Sequence, residues 1–375
     1  MKAVGIISEY NPFHEGHAYH IQQAKELSGA DFAVVIMNGD FVQRGEPAIL
    51  DKYTRTIQAL DGGADLVFEL PVRFGISSAG DFAYGGILAL DALGVVDCVC
   101  FGSEIGQLTP LLEAAGILVD EPETFRKHLE HLLRGGMPYP AARALALDEI
   151  QKFPPELLRS PNNILAIEYC IALKSLSSTI QPLTIPRIGQ DYHGKNEVSG
   201  FLSATALRKK IHEANEPHLA LEDFSSAIGY ALLASPDLSC FKDISPALAE
   251  RITNYLPEYH SISDFIEKCS NFSLTKGRIR RGILQCLLRI KETEKEMPYL
   301  RLLGMKKEAS SLLACKEKTS CRILSRLAAD SRALDAHAFH LLAQDLFASN
   351  LYRQTWCHKY NTKLPNEYQH SPIVL

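Results

Sequence analysis

The chain has 375 residues, 46% of them hydrophobic and 22% charged, with a formal net charge of −5. That length and balance suit two well-buried cores and exclude wholesale disorder. Without an 18-residue apolar run or a charged-then-apolar leader pattern, they predict a cytoplasmic protein, and the net charge argues against a general nucleic-acid binder.

The first element is a short apolar run, Ala3 to Ile7, which predicts a buried strand. Asn11-Pro12 breaks it, because proline donates no ladder hydrogen bond and biases its neighbour away from helix. A helical pattern follows, with Ile21, Ala24 and Leu27 at helix spacing. His14, Gly16 and His17 therefore fall where a strand hands over to a helix N-terminus. Free N–H groups and the helix dipole favour an anion there, and two imidazoles add donors for phosphate oxygens.

Further strands are predicted at Asp31–Met37, Asp65–Leu70, Val95–Phe101 and Thr179–Ile185, with helices over 51–60, 77–93 and much of 107–150. Alternating β-α units predict an α/β fold with a Rossmann-like, doubly wound, mostly parallel sheet. The segment Asn38-Gly39-Asp40-Phe41-Val42-Gln43-Arg44-Gly45-Glu46-Pro47 follows the second strand, at the edge where open α/β sheets place ligands. Asp40, Arg44 and Glu46 are candidates there, against the plainer reading of a solvated loop. Ser160-Pro-Asn-Asn sets Asn162 and its neighbour at a helix start, to cap that helix or read a nucleotide.

Ser203 is a good N-cap, and Thr205 and Arg208, three apart, share one face of the helix it starts. A hydroxyl and a forked guanidinium at a helix start suit a triphosphate. Beyond about residue 218 strand signals fade and helical patterns dominate. The domain expectation is accordingly 1–217 for catalysis and 218–375 for a mainly α-helical domain. Residues 251–330 hold 16 Lys and Arg against 9 Asp and Glu, a net of +7, whereas the first 150 residues are acidic. Within the basic region, Lys276, Arg278, Arg280 and Arg281 lie on a helix with an apolar stripe of Ile279, Ile283, Cys286 and Leu287. Such a cluster suits an RNA backbone, although a charge run is more often only a solvated face. The nine cysteines carry no paired C-x-x-C set, which predicts buried free thiols and no metal site.

His14-Glu15-Gly16-His17 resembles the HxGH motif of the nucleotidyltransferase superfamily, and Ser203-Ala-Thr-Ala-Leu-Arg208 resembles the S-x-T-x-x-R motif that accompanies it in adenylyltransferases. Nearly end to end the chain resembles the bacterial tRNA(Met) cytidine acetate ligases. The residues carrying that resemblance are EYNPFHEGHAYH, NGDFVQRGEPA, DLVFELP, FGSE, SPNNILAIEY, RIGQDYHG, SATALRKKI, TKGRIRR and PYLRLLG. Family members carry glycine where Ala166 stands and Ser-Gly-Asp where Asn38-Gly39-Asp40 stands.

The resemblance implies a nucleotidyltransferase (HUP-type) fold and a ligase that uses ATP and acetate. The product is N4-acetylcytidine at the wobble position of elongator tRNA(Met), made by way of acetyl-adenylate. It implies an ATP site formed by Ile7, Ser8, Glu9, Tyr10, Asn11, Pro12, Phe13, His14, Glu15, Gly16, His17, Ala18, Tyr19, His20, Gly102, Asn162, Arg187 and Ile188. His14 and His17 are the expected transition-state stabilisers. Ser203, Thr205 and Arg208 fall to the β- and γ-phosphates by motif logic, and Asp40 to the cytidine amine. ATP brings the expectation of Mg²⁺ bound with it. The alternative is a small-molecule adenylyltransferase of cofactor biosynthesis, which shares both phosphate motifs.

Overall fold

A computed structural model describes residues 1–187, 204–314 and 316–375. Its centre is the opening strand β1 (Ala3–Ser8), whose first four residues are fully buried. In parallel it pairs with β2 (Phe32–Asn38), in a register running from Ala3 opposite Phe32 to Ser8 opposite Met37. A two-stranded hairpin, β3 (Phe41–Val42) and β4 (Glu46–Pro47), follows β2 outside the main sheet. The sheet continues with β5 (Leu66–Leu70), β6 (Cys98–Ser103) and β7 (Gln181–Pro186). Their spatial order, β5-β2-β1-β6-β7, reverses direction at β1 and all four pairings are parallel. This is the doubly wound sheet expected, with its crevice at the C-terminal ends of β1 and β6.

Strand alternation divides the core. Val34 and Ile36 face one layer with Leu90 and Ile167 from the helices Ala79–Leu93 and Pro161–Ser175. Val35 and Met37 face the other, with Ile21 of helix α1 (Glu15–Ser28) and Leu60 of helix α2 (Lys52–Asp61). The period of two sends neighbouring residues to opposite faces, so the two layers are specified by the same run. The fourth strand begins at Cys98 rather than Val95. Gly94 ends the preceding helix in the left-handed region, and the chain turns before entering the sheet.

Beyond residue 218 the chain is mainly helical, around a core containing Ile252, Phe265, Ile279 and Ile283. It also returns to the sheet. β8 (Tyr299–Met305) pairs antiparallel with β5, and both β9 (Arg322–Leu324) and β10 (Ile373–Val374) pair in parallel with β8. Fading strand signals concealed these three. β8 carries the charged Arg301 in its middle, and β9 and β10 are only three and two residues long. Most described cysteines are buried as expected, but Cys240 is exposed and Cys321 and Cys357 are partly so.

The helical part is fastened to the sheet by specific bonds. The Arg280 guanidinium pairs with Glu46 on the hairpin, Gln285 donates to the Ile76 carbonyl at 3.0 Å, and Lys242 meets Asp81 at 2.9 Å. Gly45, at the hairpin tip with φ +77°, packs directly on the Lys276–Leu287 helix. A Cβ there would stand 2.7 Å from the Arg281 amide nitrogen, a backbone atom that has little room to give. Gly45→Ala should therefore destabilise the protein by about 2–4 kcal/mol, through left-handed strain plus overpacking. The check is a lowered midpoint in thermal or denaturant unfolding.

Candidate active site

The HxGH segment occupies the crest of the sheet. β1 ends at Ser8, whose Oγ accepts from the Tyr10 amide at 3.3 Å, and Tyr10 adopts φ +47°. After the Asn11-Pro12 peptide, which is cis, the chain reaches His14 at the N-cap of α1. The two motif rings are stacked, 3.7 Å between centroids and 21° from coplanar. The His14 amide donates to His17 Nδ1 at 3.3 Å. That bond makes Nδ1 the acceptor nitrogen and leaves the proton of a neutral His17 on Nε2. Tyr10 and Phe13 pack against the His17 ring at 4.8 and 5.5 Å, closing its apolar side. Buried and without hydrogen-bond partners among the described residues are His14 Nδ1 and His20 Nε2.

Burial holds the His14 imidazole below its ordinary pKa, and the nearby Arg187 cation adds to the effect. His17 lies well below, through burial first and then the charges of His14, His20 and Arg187; His20 falls to about 4 by burial and Arg187. Three desolvated imidazoles beside a guanidinium form a site short of negative charge. An anion there would gain their hydrogen bonds and draw protons onto them.

The neighbouring strands supply the rest. Gly102, near the end of β6, lies against the Arg187 side chain. Arg187 follows β7 and donates to Asn162 Oδ1 at 2.8 Å. Asn162 Nδ2 in turn donates to Glu104 Oε1 at 2.6 Å, and Glu104 Oε2 accepts from the Asn163 amide at 2.7 Å. Glu104 thus caps the Pro161–Ser175 helix through two backbone amides and orients Asn162 toward Arg187. Gly102, Asn162 and Arg187, distant in sequence, come together at the ends of β6 and β7. The role of Glu104 was missed; its only signal was its place directly after a strand.

Arg208 reaches the same corner. Its guanidinium donates to the Asn11 carbonyl at 2.7 Å and to Thr205 Oγ1 at 3.0 Å, from the start of the Ala204–Glu213 helix. The Glu9 carboxylate accepts from the Gln43 amide at 2.8 Å; burial pushes its pKa up, and Arg44 and Arg208 oppose that rise. Ile188 and Ser203 lie outside the described residues.

Asp40 is placed differently from the expectation. Its side chain is turned into the protein, where Oδ1 accepts from the Lys52 amide at 3.2 Å and Oδ2 lies 3.6 Å from Lys52 Nζ. It holds a loop, and its few-percent exposure leaves no face for a nucleobase amine. The organiser that sequence reading missed is Arg55. Fully buried on α2, it donates to the carbonyls of Glu9, Asn38, Gly39 and Leu50, joining the motif corner to the loop after β2. Nothing in the local pattern distinguishes it from any helical arginine.

The four arginine and lysine candidates for RNA divide as well. Arg280 pairs with Glu46, Lys276 with Glu267, and Arg281 lies 3.7 Å from Asp243. Arg278 has no ion pair among the described residues. No group of three or more His, Cys, Asp or Glu that could hold a metal occurs among the described residues, and none of their helices is long and apolar enough to cross a membrane.

Against known proteins, the chain matches the HIGH Nucleotidyl Transferase family over residues 1–367. It is 34% identical to a tRNA(Met) cytidine acetate ligase of Acetivibrio thermocellus, with all of both chains aligned. It is 37% identical to one from Thermoanaerobacter sp. strain X514, covering 94% of this chain and 95% of the relative. A crystal structure of Thermotoga maritima TmcAL bound with alpha-thio ATP superposes with a TM-score of 0.90 over the full length of both chains, at 29% identity. With the HxGH crest, the convergent strand ends and the sheet order all in place, the chain belongs to the tRNA(Met) cytidine acetate ligase family of the HIGH nucleotidyl transferases.

Proposed function

We propose that this protein activates acetate with ATP and transfers the acetyl group to the wobble cytidine of elongator tRNA(Met). The observation that carries the reading is the stacked His14–His17 pair, desolvated and flanked by Arg187 and Arg208, within a chain matched end to end by ligases of that name. In the first step an acetate oxygen attacks the α-phosphorus of ATP, forming the mixed anhydride as the bond to pyrophosphate breaks. In the second, the cytidine N4 attacks the acetyl carbonyl, loses a proton and releases AMP. The small-molecule adenylyltransferase reading fits less well, because the ligase relatives match through the whole helical part.

Each residue then has a physical task. The His17 Nε2–H and the His14 ring donate to oxygens around the α-phosphate, where charge builds in the transition state. Arg208, with Thr205 beside it, takes the departing pyrophosphate with forked donors. Gly102, Asn162 and Arg187 hold the nucleoside side, and Asp40 acts through Lys52 in positioning the loop after β2. Imidazole and guanidinium suit phosphate oxygens but not Mg²⁺, which prefers oxygen ligands, so Mg²⁺ would ride on the triphosphate itself. Of the four basic candidates on the Lys276–Leu287 helix, Arg278 is the one without an ion pair among the described residues and so placed to meet an RNA phosphate, whereas the other three are engaged within the chain.

The direct test supplies purified protein with ATP, acetate and elongator tRNA(Met), and reads N4-acetylcytidine by nucleoside mass spectrometry. Product formed from acetyl-CoA but not from ATP plus acetate would overturn the mechanism. In acetate-dependent exchange of pyrophosphate into ATP, His14→Ala and His17→Ala should each lower the rate roughly 10²–10³-fold, the cost of a lost transition-state donor. The histidines also predict proton linkage. Their pKa values are depressed in the free protein and rise when a polyphosphate binds, so the complex holds more protons and affinity increases as pH falls. Titration calorimetry in buffers of different ionisation enthalpy should show greater proton uptake for the wild type than for His17→Ala, the nucleotide's own ionisation being common to both.

A further inference from the structure

A group of five ionisable side chains lies buried beside the site, and its members come from both ends of the chain. Lys52 Nζ, fully buried, lies 2.8 Å from Glu69 Oε1, 2.9 Å from Glu367 Oε2 and 3.6 Å from Asp40 Oδ2, and donates to Ser349 Oγ at 2.7 Å. Arg301 in β8 pairs with the same Glu367 carboxylate and lies 3.5 Å from Glu69. Two cations thus meet three carboxyl groups, one of which arrives from the C-terminal segment; burial pushes the Asp40 and Glu69 pKa values up, and Lys52 opposes that rise at both. That segment is held twice over: Tyr53 on α2 donates to Glu367 at 3.2 Å and stacks on His370 with 3.9 Å between ring centroids.

From this group a continuous set of bonds runs to the HxGH corner. The Lys52 amide donates to Asp40, and the Asp40 carbonyl accepts from the Ala48 amide at 2.8 Å, closing the loop between them. The loop grips the corner at two points. Its Gln43 amide donates to Glu9, and its Ile49 amide donates to Asn11 Oδ1 at 2.7 Å. Glu9 and Asn11 are the last turns of chain before His14, and Asn11 also receives Arg208.

We infer that Glu367 is a positioning residue: its carboxylate fixes Lys52, and through it the loop of residues 40–49 that sets the height of the His14–His17 pair over the sheet. This rests on the reading of the site given under Proposed function. Without Glu367, Lys52 and Arg301 face each other across a buried space with one balancing carboxylate fewer, and the lysine that anchors Asp40 is released. Contacts to the nucleoside on β6 and β7 lie on the other side of β1 and do not pass through the loop. The consequence falls on the reacting phosphate and spares nucleotide affinity.

The test uses the full-length protein with Glu367→Gln, which removes the charge, and Glu367→Asp, which keeps it but shortens the reach. Both are assayed for acetate-dependent exchange of pyrophosphate into ATP, at a temperature well below each variant's own melting midpoint. Glu367→Gln should lower kcat roughly 10-fold or more, as expected for misplaced catalytic groups, while KM for ATP stays within about threefold of wild type. Glu367→Asp should fall between the two. Folded variants that melt earlier yet turn over at the wild-type kcat would overturn the inference, making the clasp a matter of stability alone. Should Glu367→Gln fail to fold, Glu367→Asp decides on the same criterion. Absence of exchange in the wild type would instead overturn the proposed function, and this role with it.

Discussion

Everything above the sheet crest depends on how this protein neutralises Lys52. An ammonium with no exposure to water is tolerated only when carboxylates and other acceptors surround it, since its own hydration has been given up entirely. Glu69, Glu367, Asp40 and Ser349 supply that surround; burial pulls the lysine pKa down, but Glu367 and Glu69 outweigh it and drive it upward, while Lys52 and Arg301 overcome burial to hold Glu367 down at about 2. Because the partners come from β5, the loop after β2, the Ala336–Tyr360 helix and the C-terminal segment, the arrangement exists only when the whole chain is assembled. It ties the start of the catalytic sheet to the end of the chain.

The imidazoles of the crest follow the opposite logic. Lys52 is charged and satisfied, whereas His14, His17 and His20 are half-buried and depressed in pKa, with His14 Nδ1 and His20 Nε2 lacking partners among the described residues. A satisfied group stabilises; an unsatisfied one waits for a ligand. The two conditions sit on either side of one stretch of backbone, joined by Arg55 and the loop after β2. Rigidity on one side is what allows the other to be presented in a single geometry.

The basic helix Lys276–Leu287 shows how a charge run can mislead. Read as sequence, its four cations make one surface. In three dimensions Arg280 and Arg281 flank the hairpin tip at Gly45 and face carboxylates of this chain, and Lys276 meets Glu267. Of these pairs, Arg280 with Glu46 holds the helical part against the sheet, whereas Arg281 with Asp243 and Lys276 with Glu267 join elements within the helical part. Of the four, only Arg278 has no ion pair among the described residues.

How much was legible beforehand follows from the range of the interactions involved. The strand runs, the Asn11-Pro12 break, the helix start at His14 and the parallel sheet are encoded by neighbours in sequence, through periodicity, proline geometry and capping, and they appear close to where local pattern places them, the fourth strand starting three residues late. The convergence of Gly102, Asn162 and Arg187 was open to recognition of motifs but not to pattern, because strand order brings them together. Arg55 and Glu367 carried no signal, and Glu104, Glu69 and Arg301 stood only within segments shared with the family, with nothing to give their roles. A buried charge in sequence looks like a surface charge, and its meaning is set by partners as many as 315 residues away, as Lys52 and Glu367 show. The sequence by itself determined the five parallel strands and the HxGH segment, because both are local; the tertiary structure added the late strands to that sheet and decided which charges face a ligand and which face each other, because electrostatic pairing depends on distance in space and on the loss of water.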